Sequence, residues 1–330
     1  MPKFEKIALS KQMFEEAKEK GVTLTQLLSK HDKFSVAESE KFSALSQQLA
    51  SRDLKLSGAH AALVSDFFQT EDNKVLFVET INEAVRTGLD SELKSFANIS
   101  DIVATRTGIK GGLYEGAEVD MDNSKSSASR VSEGGSFPKV KINFKDKAIK
   151  LSKIGYQIDA TYETIRRMRV NTFLVTMMQI GRNIARDKVS LAIDTLINGD
   201  GNGNPIVSVN AATSGTLTYA DVVNLLEEFR YFDPTLMIAP KAMRVKYLNL
   251  AEYKDKNGPT MPEPPKKSDA VPAGKIIALD AKSALEEVYE LGGSLVDYDK
   301  IIEKQIETAV VSEVTGFSKL FTEAAVMLNG

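Results

Sequence analysis

The chain has no cysteine in its 330 residues. That absence removes disulfides, thiolate metal sites and cysteine nucleophiles together, and it fits synthesis in a reducing cytoplasm. Histidine is nearly as scarce: His31 and His60 both lie in the first sixty residues, and both read as ordinary surface or helix residues. A multi-histidine metal site is disfavoured, and a histidine triad would have to recruit one of these two. No catalytic, cofactor or metal residues are therefore expected, although carboxylate or lysine chemistry survives these absences. No apolar run approaches the roughly 20 residues that span a bilayer, so no membrane partner is expected. The N-terminus, MPKFEKIALSKQMFEEAKEK, is charged throughout and lacks the apolar core of a signal peptide. Net charge is only −3, which argues against a general polyanion binder.

What is present is ordinary in bulk and uneven in detail. The apolar share is 42% and the charged share 26%, as in soluble globular proteins, and the length predicts two or three sub-domains. Residues 1–65 are rich in Lys, Glu, Ser, Gln and Ala. Leu24, Leu27, Leu28, Phe42, Leu45 and Leu49 recur there at helical spacing, with Asp32 or Ser35 as a cap near a break. Two readings stay open for this segment: a polar arm that binds a partner, or a loosely packed helical cap on the body. Residues 72–90 predict a helix capped by Asp72 or Asn73 and stopped at Gly88, with Leu76, Phe77, Ile81, Ala84 and Val85 inward.

Residues 108–136 are full of Gly, Ser and acids and cannot bury a core of their own. Beyond them the pattern alternates. Val140, Ile142 and Phe144 point one way and Lys139, Lys141 and Lys145 the other. The phase then slips to Ile149 and Leu151 and returns at Ile154, Tyr156 and Ile158. A long strand bent near 146–153 accounts for both phases. Together these residues read as a long hairpin with a flexible tip, and such a hairpin needs a neighbour to lie on.

Residues 170–199 carry the strongest helix signal. Leu174, Met178, Gly181, Ala185, Val189, Ala192 and Leu196 form one face, and Phe173, Met177, Ile180 and Ile184 widen it. Asn171 is the expected N-cap and Gly199 the stop, and at 1.5 Å per residue the helix is roughly 40 Å long. Residues 213–300 form an α/β block. Its Pro-rich stretch 257–274 predicts an irregular surface loop with no place inside a sheet, and the final alternating segments predict closing strands.

The most site-like stretch, INGDGNGNP (197–205), fails the templates it imitates. Asp200, Asn202 and Asn204 match positions one, three and five of a calcium loop, but Pro205 and Ala211 stand where glycine and the bidentate acid belong. The stretch starting at Asp120 fails in the same way, at Lys125 and Val131. Phosphate-loop spacings fail as well, and the stretch follows a helix instead of opening one. It is expected to be a helix-ending turn. From Gly134 to Lys153 there are six lysines and one aspartate, whereas 110–133 holds three bases and five acids. That contrast favours contact with a neighbouring copy, or a solvated strand face that guards an edge, over direct nucleic-acid binding. Lys110 and Lys125 are available for covalent chemistry by position alone, and solvated lysines are the plainer reading.

In this order the elements resemble the major capsid protein of tailed bacteriophages (Caudoviricetes). VLFVETINEAVRTGL is similar to the segment before that family's extended loop. FKDKAIKLSKIGYQIDATYETIRR is similar to the strand leaving the loop, LINGDGNGNPI to the turn after the spine helix, and PTLMIAPKAMRVKYLNL to a strand–helix pair of the axial domain. The resemblance covers roughly 70–330 and implies an α+β Hong Kong 97-like capsid fold. Its parts would be an N-terminal arm (1–66), a first peripheral part (67–103) and an extended loop hairpin (104–150). A peripheral domain with spine helix 171–198 (151–212), an axial domain (213–310) and closing peripheral strands (311–330) would follow. Residues 1–65 are where such proteins carry an arm or a removable scaffolding segment, and the arm is expected to be retained here. The implied function is structural: an icosahedral shell of pentamers and hexamers around packaged double-stranded DNA, made in the bacterial host cytoplasm and residing in the virion. Portal and scaffolding proteins are the implied partners, with DNA touched non-specifically. The expected assembly interface comprises Lys110, Tyr114, Glu115, Glu118, Lys139, Lys141, Lys145 and Lys147. The competing readings are an encapsulin-like nanocompartment shell and, in another class, a carboxylate- or lysine-based enzyme.

Overall fold

The computed structural model describes residues 4–20, 22–91, 93–120, 133, 141–161, 167–255, 261–291, 296–301 and 306–330. Helices α1 (Lys11–Glu19), α2 (Leu24–Leu28), α3 (Ala44–Ser51), α4 (Glu71–Leu89) and α5 (Ile99–Ile102) come first. Strands β1 (Val103–Ile109), β2 (Leu113–Tyr114), β3 (Ala117–Asp120), β4 (Lys141–Phe144), β5 (Ile149–Lys150) and β6 (Ser152–Thr161) follow. Then come α6 (Val170–Asn198), β7 (Val207–Asn210), α7 (Tyr219–Glu227), β8 (Leu236–Ala239), α8 (Lys241–Leu248) and α9 (Ala251–Lys254). The chain closes with β9 (Lys266–Lys267), β10 (Lys275–Leu279), β11 (Leu285–Glu290), β12 (Val296–Ile301), β13 (Ile306–Lys319) and β14 (Ala325–Asn329).

Two compact units share these elements. The first comprises residues 1–91, 153–185 and 290–314. Its core joins Ile7, Leu24, Leu28, Leu45, Leu49, Phe67, Leu76, Phe77, Ile81 and Val85 with Met177 and Ile184 of α6. The N-terminal segment is therefore no free arm: its leucines at helical spacing are core residues, which selects the helical-cap reading. Thr23 and Gln26 form a reciprocal capping box at α2, and the Thr70 hydroxyl accepts the Asn73 N–H at the start of α4. The α4 cap thus stands ahead of the expected Asp72 or Asn73, and Glu71 and Asp72 occupy the first turn, where the helix dipole favours acids. Gly88 does not stop α4. It lies inside the helix, where an added Cβ would come 2.2 Å from the Met178 carbonyl oxygen of α6. On α6 itself Met177 and Ile184 are fully buried while Leu174, Met178 and Ala185 are half-buried, so this core sits nearer the second apolar stripe. In the same unit β12 pairs antiparallel with the first half of β13, from Val296↔Val311 to Ile301↔Ile306.

The second unit comprises residues 92–152, 186–289 and 315–330. Its main sheet runs in the order β7-β14-β10-β8-β9, with β10 antiparallel to both β14 and β8, and β7 parallel to β14. The Pro-rich stretch does enter this sheet: Lys266 and Lys267, which follow Pro264 and Pro265 and keep their N–H groups, form β9 parallel to β8 at the edge. Ile277, Leu279 and Met327 face one core, which includes Val189, Ala192, Ile193 and Leu196 of α6. Ile276, Ala278, Val326 and Leu328 face the other, which includes Val222 and Leu225 of α7 and Met243 and Tyr247 of α8. A sheet covered on both faces explains why KIIAL and AVML are continuous apolar runs. The closing segment was expected in the peripheral part, but β14 lies inside this sheet, because each neighbouring strand completes its backbone pairing.

The expected long strand after residue 139 is three strands. β2 pairs with β5 (Leu113↔Lys150, Tyr114↔Ile149) and β3 with β4 (Ala117↔Phe144 to Asp120↔Lys141), both antiparallel. Between the two ladders the chain bends at 145–148, where the Lys145 N–H donates to the Gly116 carbonyl at 2.9 Å. Residues 121–132 and 134–140, including Lys139, lie outside the described residues.

Candidate assembly interface

Of the eight residues expected at the interface, Lys139 lies outside the described residues, and those whose side chains are described do not share one face. Lys110 and Glu115 are exposed, Lys110 directly after β1 and Glu115 directly after β2. Glu118 on β3 stands at the register position opposite Asn143, and Lys141 on β4 opposite Asp120. Tyr114 turns to its own unit. Its hydroxyl lies 3.1 Å from both carboxylate oxygens of Glu286, which also accepts a hydrogen bond from Thr107. Burial, then the charge of Glu286 and the bond to it, raise the Tyr114 phenol above its ordinary pKa. Lys147 is exposed at its side chain, but its backbone is gripped. Its N–H donates to Asn202 Oδ1 at 2.9 Å, and its carbonyl accepts from Asn202 Nδ2 at 3.2 Å.

Lys145 departs furthest from expectation. The alternation put it on the solvent side and Phe144 inside, but the reverse holds: Phe144 is 74% exposed and Lys145 only 6%. Its ammonium donates to Asp200 Oδ2, to Ser318 Oγ at 2.9 Å and to the Lys319 carbonyl at 2.6 Å. The physical reason is Asp200, whose carboxylate is shut off from solvent and offers a buried cation a partner. Leu113, 67% exposed, adds a second large apolar side chain on the hairpin's surface.

Asp200 belongs to the turn that ends α6. Gly199, Gly201 and Gly203 all hold positive φ angles (86°, 94° and 75°), a conformation that costs glycine nothing. The turn thus stops the helix as expected, but it also builds a socket. Asp200 Oδ2 accepts the Lys319 N–H at 2.9 Å and Oδ1 accepts Asn202 Nδ2 at 3.0 Å, while Asn204 Oδ1 accepts the Asp200 N–H at 3.1 Å. Burial alone would raise the Asp200 carboxyl pKa. The bonds from Lys145, Asn202 and the Lys319 N–H, with the Lys145 charge, hold it below the ordinary value instead. Lys319, at 1% exposure, donates from its ammonium to the Leu196 carbonyl at 3.1 Å and the Asn204 carbonyl at 2.9 Å. A cation there also suits the negative end of the α6 dipole. Burial, opposed by Asp200 and reinforced by Lys145, pushes the Lys319 pKa down to about 8.

The sign of the resulting pH dependence is fixed. Between about 8 and the ordinary 10.5, an unfolded Lys319 holds its proton while the folded one releases it. Stability contributed by this group therefore rises with pH across that window. Urea titrations of the wild type and Lys319→Met at pH 7.5 and 10.5 should show the wild type gaining on the variant at the higher pH. A wild type that loses ground would mean that the buried lysine stays charged.

Asp200, Asn202, Ser318, Lys319 and Glu286 were not singled out from the sequence as a group. The available signal was the Asp-x-Asn spacing inside INGDGNGNP, but its lysine partners lie far away in the chain. Among the described residues, no group of three or more His, Asp or Glu side chains is placed to hold a metal ion. No described helix is long and apolar enough to cross a membrane.

A family model for phage capsid protein matches residues 145–318, just over half of the chain. That span runs from the buried lysine to the serine it bonds. The fold is shared with solved structures. A virus-like particle from Pyrococcus furiosus is 16% identical at TM-score 0.50, over 76% of this chain and 99% of that one. A structure of Microbacterium phage Oxtober96 is 13% identical at TM-score 0.51, over 73% and 94%. The capsid of an empty GTA particle is 14% identical at TM-score 0.50, over 72% and 92%. At these identities the likeness is one of fold. No curated protein matches the chain.

Proposed function

From the premise that the chain belongs to the phage capsid protein family, we propose how its copies meet in the shell. The protein is a structural subunit with the α+β Hong Kong 97-type fold. Its copies associate as pentamers and hexamers of an icosahedral capsid in the virion. The mixed sheet with α7 and α8 gathers around the capsomer axes, and the hairpin lies on an adjacent copy. Packaged double-stranded DNA fills the shell through non-specific contacts, with portal and scaffolding proteins taking part in assembly in the host cytoplasm. An encapsulin-like compartment would use the same fold, and the family match favours the phage capsid.

One observation carries the subunit contact. The β3–β4 ladder is two-stranded, and neither strand pairs with a third among the described residues. A two-stranded ladder is marginal in water, and this one leaves Phe144 largely in solvent. A ladder that needs a neighbour, with Phe144 turned out to solvent, is what the proposed contact with an adjacent copy would cover. Phe144→Ser should accordingly leave the isolated subunit's melting temperature within about 1 °C, because so exposed a side chain contributes little to the fold. Shell yield, counted in negative-stain images, should fall at least tenfold. Unchanged shells would remove Phe144 from the interface, and the absence of shells from the wild type in any salt would count against the shell reading itself. Nuclease-protected DNA in the particles tests the cargo.

A further inference from the structure

The hairpin base and the end of α6 meet in a buried cluster whose charges do not balance. Lys145 and Lys319 share one carboxylate, Asp200. The three members are not equally bound. Lys319 has two carbonyl acceptors of its own, from Leu196 and Asn204. Asp200 keeps the Lys319 N–H and the Asn202 amide even without Lys145. Removing Lys145 therefore leaves one buried cation beside one buried anion, each still hydrogen-bonded. Removing Asp200 would leave two cations and no anion.

The surrounding backbone is built as a hinge. Both hairpin ladders stop at the bend 145–148, and Gly116 faces that bend across the break. A Cβ on Gly116 would lie 2.9 Å from Ser318 Oγ and 3.3 Å from Lys145 Cδ, so the cluster closes over a glycine. On the other side of Asp146, Asn202 holds the Lys147 backbone by both its N–H and its carbonyl. Two contacts from one turn thus grip the bend on either side of its centre.

We propose that the turn 199–204 is a latch that fixes the direction of the hairpin relative to the end of α6, with Lys145 as the removable pin and Asn202 as the second clamp. When the pin is out, the β3–β4 ladder pivots about the bend while the main sheet stays intact. The hairpin then presents Phe144 over a range of directions. The consequence for shells rests on the proposed role of the hairpin as a subunit contact.

The test is amide hydrogen exchange on the unassembled, full-length Lys145→Met subunit. The expected result is at least a tenfold loss of protection at the amides of Lys145 and Lys147, with the β10 and β14 amides unchanged. Asn202→Ala should give a similar loss at the Lys147 amide alone. Unchanged protection in the Lys145→Met hairpin would overturn the latch, and so would equal losses through β10 and β14, which would make Lys145 a general fold determinant. Imaging the same variant separates the two readings. Freed hairpin amides together with normal shells would uphold the latch and remove the hairpin from assembly.

Discussion

Gly181→Leu is expected to yield no soluble folded subunit. Helices α4 and α6 touch backbone to backbone at two glycines, Gly88 and Gly181. A Cβ on Gly181 would lie 2.2 Å from the Val85 carbonyl oxygen and 3.1 Å from the Gly88 Cα, and one on Gly88 would lie 2.2 Å from the Met178 carbonyl oxygen. Both obstacles are main chain, so neither can swing aside as a side chain would. The helices must separate, which draws Met177 and Ile184 away from Phe77, Ile81 and Val85. It also opens the stack of Phe77 on Phe173, whose ring centroids are 5.5 Å apart. Full burial of each such side chain is worth about 1.5–3 kcal/mol, and total stabilities are about 5–15 kcal/mol, so several lost together exceed the margin. Soluble yield and far-ultraviolet circular dichroism decide the matter, with Gln179→Leu on the exposed side of α6 as the neutral comparison. A soluble Gly181→Leu protein that melts like the wild type would show that the two helices do not meet there.

Glu287→Leu is expected to destabilise the second unit severely. Glu287 is buried on β11, with its Oε1 bound by the Lys188 ammonium and the Arg106 guanidinium 3.0 Å from its Oε2. The Arg106 contact is an ion pair without hydrogen-bond alignment. Arg106 is half-exposed and can turn to water, whereas Lys188 is buried and would lose the Glu287 carboxylate beside it. Stranding one member of a buried pair costs about 3–5 kcal/mol, and replacing both members by apolar groups is often neutral. Thermal melts should therefore show Glu287→Leu lower by roughly 10 °C. The double variant Glu287→Leu/Lys188→Met should recover most of that loss. If the double variant melts as low as the single one, the damage comes from packing and not from the stranded charge.

The sequence made the periodic elements legible and hid whatever depends on partners distant in the chain. The spacing along 170–199 announces α6, and Gly199 announces its end, because both signals are local. The leucines of residues 24–49 mark helices for the same reason. Gly88 reads as a stop because the reason for a glycine there, the Met178 carbonyl, lies on another helix. Alternation puts Lys145 in solvent because it assumes that one face meets water, and nothing near it in the chain reveals Asp200. For β14, AVML was readable as a strand but not as a member of a particular sheet. A strand buried on both faces has no period to point with.

The place of β14 also bears on when the protein can fold. β14 lies between β7 and β10, and its register partners Val207 and Val326 are far apart in the sequence. The sheet cannot close until residues 325–329 have been synthesised, however early the helices form. Until then β7 has no neighbour among the described strands, and β10 has one edge open. Non-local pairing of this kind is slow and leaves edges open meanwhile. Until those residues have emerged, the chain has no finished second unit to offer, and the order of synthesis delays the moment at which copies can join.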